Sequence, residues 1–406
     1  MQKADKGTIK KNNKQVILNS LKNENLSRTE LTEKTGLSAS TVGVLVAELL
    51  AQNVIFEKSV AESSGGRKPI ILSINPECAH ILLIKLQQNR IETVLLDLQL
   101  RVSYQSALAF SESTQQALEK ALEQSMDEAL AQNLHRLDTV VGVGVSVPGM
   151  VDFTGLTILY SARLHLKNFK IGEVIARKLN RKIYLFRDAD AFMLGEAVQS
   201  NLLHPLDSCV YLRVDNGVGL SYMRRGEIVQ FSRSGFELGH VPFAPYGPLC
   251  SCGNYGCLEA LVSIHAVRRE LGEYRQRGAA PPDVPIESLT LSDAVRLAND
   301  GHTACREILT RQYAHLGRAA ALTANLFAPD VVFIGGPLCD STLDKEALVR
   351  SAFDAGVLTV FSGINIVFTR TDGLACYRGM ADRIFIWEFF GDIFSQGDSG
   401  RGPVRL

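Results

Sequence analysis

The chain of 406 residues lacks net charge, with 43 basic side chains against 43 acidic ones. A whole-surface excess of positive charge is thereby excluded as a means of holding a polyanion, so any nucleic-acid contact has to come from a local cluster. Long apolar runs are also missing. No stretch approaches the roughly 20 uninterrupted apolar residues of a membrane span, and the amino terminus, Met1-Gln2-Lys3-Ala4-Asp5-Lys6, has no apolar h-region. The expectation is a soluble, cytoplasmic protein. Cysteine is sparse, eight in all, and Cys78, Cys209, Cys305, Cys339 and Cys376 are scattered as ordinary buried thiols are, which argues against a disulfide framework. What is present is 46% hydrophobic content over a length that, at roughly 100 to 200 residues per domain, corresponds to two or three domains.

The other three cysteines are clustered. Glu237-Leu238-Gly239-His240 is followed by Cys250-Ser251-Cys252-Gly253-Asn254-Tyr255-Gly256-Cys257-Leu258-Glu259. Zn²⁺ is usually held tetrahedrally by four nitrogen and sulfur ligands, and a Cys-x-Cys pair needs a chain able to turn tightly, as Gly253 and Gly256 allow. His240, Cys250, Cys252 and Cys257 form a closed ligand set with no position left for water, so the metal would be structural rather than catalytic. The alternative is three unrelated free thiols. Glu237 and Glu259 flank the ligands, and a rigid metal loop would hold both carboxylates and the His240 ring at one surface, an arrangement suited to a polyol. The plainer reading has the glutamates capping helices or facing water.

Near the amino terminus Lys3, Lys6, Lys10, Lys11 and Lys14 face only Asp5, a local positive excess that attracts DNA. A helix is predicted over Lys14 to Leu21. Ser27-Arg28-Thr29-Glu30 offers a capping box for a second helix to about Thr35, Gly36 supplies a turn, and Ser38 caps a third helix with Val42, Leu45, Val46 and Leu49 at i, i+3, i+4, i+7. The small polar start of that helix, with Ser38, Ser40 and Thr41, suits a major groove. Two β-rich runs, Ile55 to Val60 and Ile70 to Ile74, flank a Gly-rich loop carrying Arg67 and Lys68, which reads as a wing for phosphate or minor-groove contact. Asn75-Pro76 marks the boundary of this winged helix-turn-helix domain, residues 1–75.

Beyond it strands and helices alternate. His80 to Leu86 and Thr93 to Leu98 read as strands, Thr114 to Leu134 as a helix, and Val140 to Val147 as a buried strand, so the class is α/β.

Glu-x-Gly-His followed by Cys-x-Cys-Gly-Asn-x-Gly-Cys-Leu-Glu resembles the signature of the ROK family, which comprises bacterial sugar kinases and related sugar-responsive repressors. Further matches are Ser146-Val147-Pro148-Gly149-Met150-Val151-Asp152, Asp188-Ala189-Asp190, and Asn325-Leu326-Phe327-Ala328-Pro329-Asp330 leading to Ile334-Gly335-Gly336, over about Asn75 to Met380. The resemblance implies a two-lobed actin-like ATPase fold. Its first lobe would span 76–190, with a C-terminal helix over 377–394 returning to it, and its second 191–376 with the zinc loop; separately, the Gly- and Ser-rich composition of 395–406 reads as a disordered tail. The resemblance also implies a sugar in the interlobe cleft, with Gly149, Asn168, Asp188, Glu237, His240 and Glu259 as its site.

Departures from the family pattern separate kinase from sensor. Where the kinases carry an Asp-x-Gly-Gly-Thr hairpin for ATP phosphates and Mg²⁺, this chain reads Lys85-Leu86-Gln87-Gln88-Asn89, and the second phosphate loop reads Asp215-Asn216-Gly217-Val218-Gly219. Both argue against phosphoryl transfer. Asp188 takes the position of the kinase base and would accept a sugar hydroxyl's hydrogen bond. Arg187 replaces the preceding asparagine, and three fates are open to it: pairing with Asp188, facing solvent, or recognising an anionic or acylated sugar. The reading is a non-enzymatic repressor of carbohydrate uptake or metabolism genes, similar to the glucose-, N-acetylglucosamine- and xylose-responsive repressors. Its partners would be operator DNA, a sugar effector and a second copy in a homodimer or homotetramer, with a sugar-transport protein as a further partner class. The alternative is a ROK-type sugar kinase with an accessory DNA-binding domain.

Overall fold

The computed structural model describes residues 6–58, 70–111, 114–200, 206–231, 233–278, 285–370 and 373–391. The loop carrying Arg67 and Lys68, and the tail at 395–406, lie outside the described residues. Elements α1 (Lys6–Lys22), β1 (Leu26–Ser27), α2 (Arg28–Thr35), α3 (Ala39–Ala51), β2 (Ile55–Lys58) and β3 (Ile71–Ile74) open the chain. The capping box of α2 is reciprocal: Ser27 Oγ accepts from Glu30 N at 3.3 Å while the Glu30 carboxylate accepts from Ser27 N at 2.7 Å. Gly36 ends α2 in the left-handed region, φ 68°, where a Cβ is strained. Ser38 caps α3, and Val42, Leu45, Val46 and Leu49 are buried, as are Ile17, Leu21 and Leu31 of the two preceding helices.

Two details differ from expectation. Helix α1 already includes Lys6, the first described residue, rather than starting at Lys14, and within it Lys10 and Lys14 turn toward α3 and pair with Glu48 at 2.6 and 3.0 Å. Those two lysines are therefore not a freely disposed basic arm. The two-residue strand β1, too short to carry any periodicity, pairs with β3 through Leu26↔Leu72, giving the sheet order β1-β3-β2.

Next come β4 (His80–Gln87), β5 (Arg90–Asp97), β6 (Val102–Ala109), α4 (Gln115–Gln132), β7 (Val140–Val147), β8 (Met150–Asp152), β9 (Thr157–Ser161), β10 (Leu166–Phe169), α5 (Ile171–Lys178) and β11 (Ile183–Arg187). A five-stranded sheet has the order β11-β7-β4-β5-β6, in which β4 runs parallel to β7 and antiparallel to β5. Strand β6, absent from the reading of the sequence, is an edge strand with alternating exposure, Gln105, Ala107 and Ala109 being weak apolar signals. Helix α4 buries Leu118, Leu122 and Met126.

The remaining elements are α6 (Asp188–Ser200), β12 (Ser208–Val214), β13 (Val218–Arg224), β14 (Glu227–Ile228), α7 (Leu258–Val262), α8 (Ile264–Gln276), α9 (Leu291–Asn299), α10 (Thr303–Phe327), β15 (Val331–Gly335), α11 (Lys345–Asp354), β16 (Asn365–Thr369) and α12 (Ala375–Phe385). The second sheet has the order β14-β13-β12-β15-β16, with β12, β15 and β16 parallel. Its core gathers Val210, Leu212, Val332 and Ile334 with Leu309, Tyr313 and Leu316 of α10. After α12 a π-helical turn spans Ile386–Phe390 and includes Trp387, Phe389 and Phe390. Phe385 and Phe390 are buried, and Trp387 lies 5.2 Å from the Tyr184 ring, centroid to centroid. Lys22 bonds Asp382 at 2.8 Å and Asn19 donates to Phe390 O at 2.7 Å, which ties α1 to this segment.

The chain divides into two compact units. One comprises residues up to Ser146, Ile171–Leu185 and the segment from Met380, and the other comprises Val147–Lys170 and Phe186–Gly379. Among the described residues no single helix is long and apolar enough to cross a membrane.

Candidate functional site

The loop between β14 and α7 brings His240, Cys250, Cys252 and Cys257 together, with one potential ligand atom from each lying within 4.8 Å of the others. His240 sits on a single 3₁₀ turn, Leu238–His240, and Cys257 is the residue that leads into α7. Glycine makes the crossing possible. Gly256 has φ 67° and a Cβ there would run into the Ala244 backbone, while Gly253 has φ 93°. Cys250 N donates to Asn254 O at 2.8 Å and Gly253 N to Cys250 O at 3.0 Å, so the Cys-x-Cys turn is hydrogen-bonded on both sides.

The distances fit a tetrahedral Zn²⁺. Zn–S of about 2.3 Å and Zn–N of about 2.05 Å at tetrahedral angles imply edges of roughly 3.7 Å between sulfurs and roughly 3.6 Å between sulfur and nitrogen. Cys252 Sγ and Cys257 Sγ are 3.7 Å apart, and Cys250 Sγ lies 3.6 Å from His240 Nδ1. A disulfide is excluded, since it needs sulfurs about 2.05 Å apart, and all the cysteines are free thiols. Burial pushes the Cys257 thiol up to about 12 and raises Cys250. Burial also acts to raise Cys252, but the hydrogen bonds from the Asn254 backbone, Cys250 and Cys257 outweigh it and leave this thiol below its ordinary value.

Both flanking carboxylates are half-buried and engaged. Glu237 accepts from Ser234 Oγ at 3.2 Å. Glu259 accepts from Ser251 Oγ, a residue between two of the ligands, at 3.2 Å and from Val218 N at 3.3 Å. The second of these bonds was not foreseen: a backbone N–H of the Asp215–Gly219 loop is directed at Glu259. A Cβ on Gly217 would lie 2.6 Å from Glu259 Oε2, and one on Gly219 would lie 2.8 Å from Ala189 Cβ. Gly219 is thus held to glycine by its packing on the first turn of α6, while a side chain on Gly217 would displace the flexible carboxylate end of Glu259. Asp215, at the loop's start, pairs with Arg213 at 3.3 Å.

Asp188 opens α6 directly after β11. The expectations for its neighbour Arg187, pairing with Asp188, facing solvent or meeting an anionic sugar, are corrected by the structure. Arg187 is 7% exposed and forms a two-pronged ion pair with fully buried Asp190, Nε to Oδ2 at 2.9 Å and Nη2 to Oδ1 at 2.7 Å. It donates further to Leu220 O at 3.3 Å and to Gly235 O, and Ser221 Oγ gives Asp190 a third bond at 2.6 Å. Burial works against the charge, but the field and hydrogen bonds of Asp190 more than offset it, so the guanidinium stays charged. With four donor contacts used inside the protein, Arg187 is a clasp between α6, β13 and the loop that carries Glu237. The signal available was the acidic residue three positions on, one helical turn away.

Gly149 has φ 146° and a Cβ would lie 2.9 Å from Ser161 Cβ, so only glycine allows β8 to leave β7 at that angle. Asn168 is exposed with φ 52°. Among the DNA-contact candidates Ser38 Oγ is occupied locally, accepting from Thr41 N at 3.2 Å and lying 3.0 and 2.8 Å from Ser40 Oγ and Thr41 Oγ1. The hairpin between β4 and β5 turns through Gln88 and Asn89, the latter at φ 59°, and Lys85 is half-buried on β4.

The sequence profile described as the ROK family matches residues 83–371. The chain belongs to the ROK family. Among curated members it is 25% identical over 338 residues to the DNA-binding transcriptional dual regulator NagC of Escherichia coli K12, covering 83% of this chain and 82% of that one. It is 26% identical over 341 residues to the xylose repressor of Bacillus subtilis, covering 83% and 85%. Among solved ROK structures, a ROK family transcriptional regulator described as a homologue of the E. coli Mlc protein superposes with a TM-score of 0.77 at 24% identity, covering 92% of this chain and 95% of that one. A ROK hexokinase from Thermus thermophilus gives 0.59 at 22% identity, covering 75% and 97%.

Proposed function

We propose that this ROK protein is a sugar-responsive transcriptional repressor of carbohydrate genes, acting in the cytoplasm as a homodimer or homotetramer on a palindromic operator. The observation that carries the reading is the amino-terminal module. A capped three-helix unit with a Gly36 turn, backed by a β ribbon, presents the polar start of α3 to solvent in the same chain as a ROK domain. The repressor names of its relatives support it.

The effector site is assigned to Gly149, Asn168, Asp188, Glu237, His240 and Glu259. Carboxylates that already accept bonds from Ser234, Ser251 and Val218 keep lone pairs for sugar hydroxyls. Zn²⁺ at His240, Cys250, Cys252 and Cys257 would supply a cross-link that holds Glu259 and His240 in place. The chain's own residues do the recognising: Glu237 and Glu259 accept hydroxyl protons, and the Arg187–Asp190 pair holds the Glu237 loop. No phosphoryl transfer is assigned. The hairpin that would cradle phosphates carries Lys85, Gln88 and Asn89, and Val218 N, a donor that a phosphate would need, is directed at Glu259.

Repression is lifted if the sugar binds one arrangement of the protein better than another; equal affinity for both shifts nothing. Retardation of the protein's own upstream promoter fragment, titrated with glucose, N-acetylglucosamine, xylose and their phosphates, tests this. Release of DNA by one sugar is the expected result. Retention under all of them, or ADP formed above background from ATP and any of these hexoses, overturns it.

A further inference from the structure

The outward face of α3 carries unusual chemistry for a helix that reads DNA. Ser40, Val44 and Ala47, spaced i, i+4, i+7, are exposed on the side opposite the buried Val42, Leu45, Val46 and Leu49. From Leu37 to Ala47 there is no Arg, Lys, Asn, Gln, Asp or Glu. Those are the side chains that read base edges through hydrogen bonds, Arg and Lys on guanine, Asn and Gln on adenine, Asp and Glu on cytosine. The first charged residue after them, Glu48, is held by Lys10 and Lys14.

Two chemistries remain on the face. The hydroxyls of Ser38, Ser40 and Thr41 are linked to one another and to the helix cap, and hydroxyls tolerate several bases in any case. The other is apolar: the methyl group of Ala47 and, larger, the isopropyl group of Val44, 59% exposed at mid-helix. A single exposed valine on an ordinary surface carries no information. Here it lies on the second helix of a helix-turn-helix, on the face that a major groove would cover. Against a guanine or cytosine edge it would strip water from polar atoms and return no hydrogen bond. The one base feature that rewards it is the C5 methyl of thymine.

We propose that Val44 is a base-reading residue and that it recognises a thymine methyl group in each operator half-site. This rests on the reading of the chain as a DNA-binding protein and adds the base that the helix selects. The full-length protein is used to select its preferred duplexes from a randomised pool, and each thymine of the selected sequence is then replaced singly by deoxyuridine, which deletes the methyl and keeps the pairing.

At one or two thymines per half-site the wild type should lose about fourfold in affinity, the equilibrium equivalent of one methyl-sized apolar contact. Val44→Ala should bind the parent sequence about as weakly as the wild type binds the deoxyuridine duplex, and lose no more when that thymine is also replaced. Val44→Ile should keep the sensitivity. The side chain is exposed, so the variants should melt with the wild type, which a thermal scan checks. The proposal is overturned if Val44→Ala and wild type respond identically to every replacement, or if selection yields no thymine at a fixed position. Failure to enrich any sequence overturns the DNA-binding reading itself, a separate and recognisable outcome.

Discussion

Replacing Asp190 with alanine should destabilise the second unit severely, because it strands a buried guanidinium. The pair sits where Arg187 is 7% and Asp190 0% exposed, and three bonds end on the Asp190 carboxylate, at 2.9 and 2.7 Å from Arg187 and at 2.6 Å from Ser221. Removing one partner of a buried pair costs about 3–5 kcal/mol, since the remaining charge has lost its compensation. That is a large part of the roughly 5–15 kcal/mol that holds a domain folded. Replacing both, Arg187→Met with Asp190→Leu, removes the stranded charge and should return more than half of the loss. The residual comes from the Leu220 and Gly235 carbonyls and the Ser221 hydroxyl, which lose their Arg187 and Asp190 partners. Urea is the suitable denaturant because it does not screen charge. The single tryptophan, Trp387, lies in the other unit, so its fluorescence serves as an internal control while far-ultraviolet circular dichroism follows both transitions. The expected result is a second-unit transition moved to lower urea in Asp190→Ala with the Trp387 transition in place. A loss below about 1 kcal/mol, or a coupling energy near zero in the double-mutant cycle, would refute the buried-pair account.

Cys252→Ser should lower bound zinc from one per chain toward none by atomic absorption, and Gly256→Ala should do the same without touching a ligand, since its Cβ falls on the Ala244 backbone at φ 67°; full zinc in Gly256→Ala would remove the claim that the turn sets the site. Ser38→Ala should cost about 1 kcal/mol in the amino-terminal module by removing the cap on Thr41 N, read from thermal melts. His80 is fully buried, its ring Nδ1 2.8 Å from Thr139 Oγ1, and burial chiefly holds it below the ordinary histidine value of 6.5. The folded chain then binds fewer protons than the unfolded one, so the stability of the first unit should be fully present above pH 6.5 and decline as pH falls below it. His80→Gln should flatten that slope in the urea midpoint reported by Trp387; an unchanged slope would place the proton elsewhere.

Elements with a strong local signal were legible in the sequence. The Ser27–Glu30 box, Gly36 and the Val42–Leu49 stripe produce α2 and α3 as read, because capping and periodicity are local and the tertiary core agrees with them. Strands β4, β5 and β7 follow for the same reason. What escaped is what pairing at a distance decides. Strand β1 pairs only with β3, far along the chain, and α1 reaches back at least to Lys6, with Lys10 and Lys14 paired to the distant Glu48. Arg187 shows the same limit in the site. A lone arginine is usually exposed, and the acceptors that bury this one, Leu220 and Gly235 carbonyls, are backbone atoms that no residue type announces.

In the sequence the Asp215–Gly219 loop reads as a phosphate loop that keeps two glycines but carries Asp215, which would repel a triphosphate. In the structure a Cβ on Gly219 would lie 2.8 Å from Ala189 Cβ, while one on Gly217 would meet the flexible carboxylate end of Glu259, which can move aside. The packing of Gly219 on α6 accounts for that glycine without reference to a phosphate, so glycine content alone does not separate a kinase from a sensor. Val218 N is directed at Glu259, the residue assigned to the sugar, so a change in sugar contact at Glu259 is felt first by β13, the strand that also carries Leu220 and Ser221 of the Arg187 clasp. Gly217→Ala should therefore disturb sugar response before it disturbs folding, displacing Glu259 and raising the sugar concentration needed to release DNA while leaving affinity for sugar-free operator within about twofold; loss of operator binding along with sugar response would refute that order.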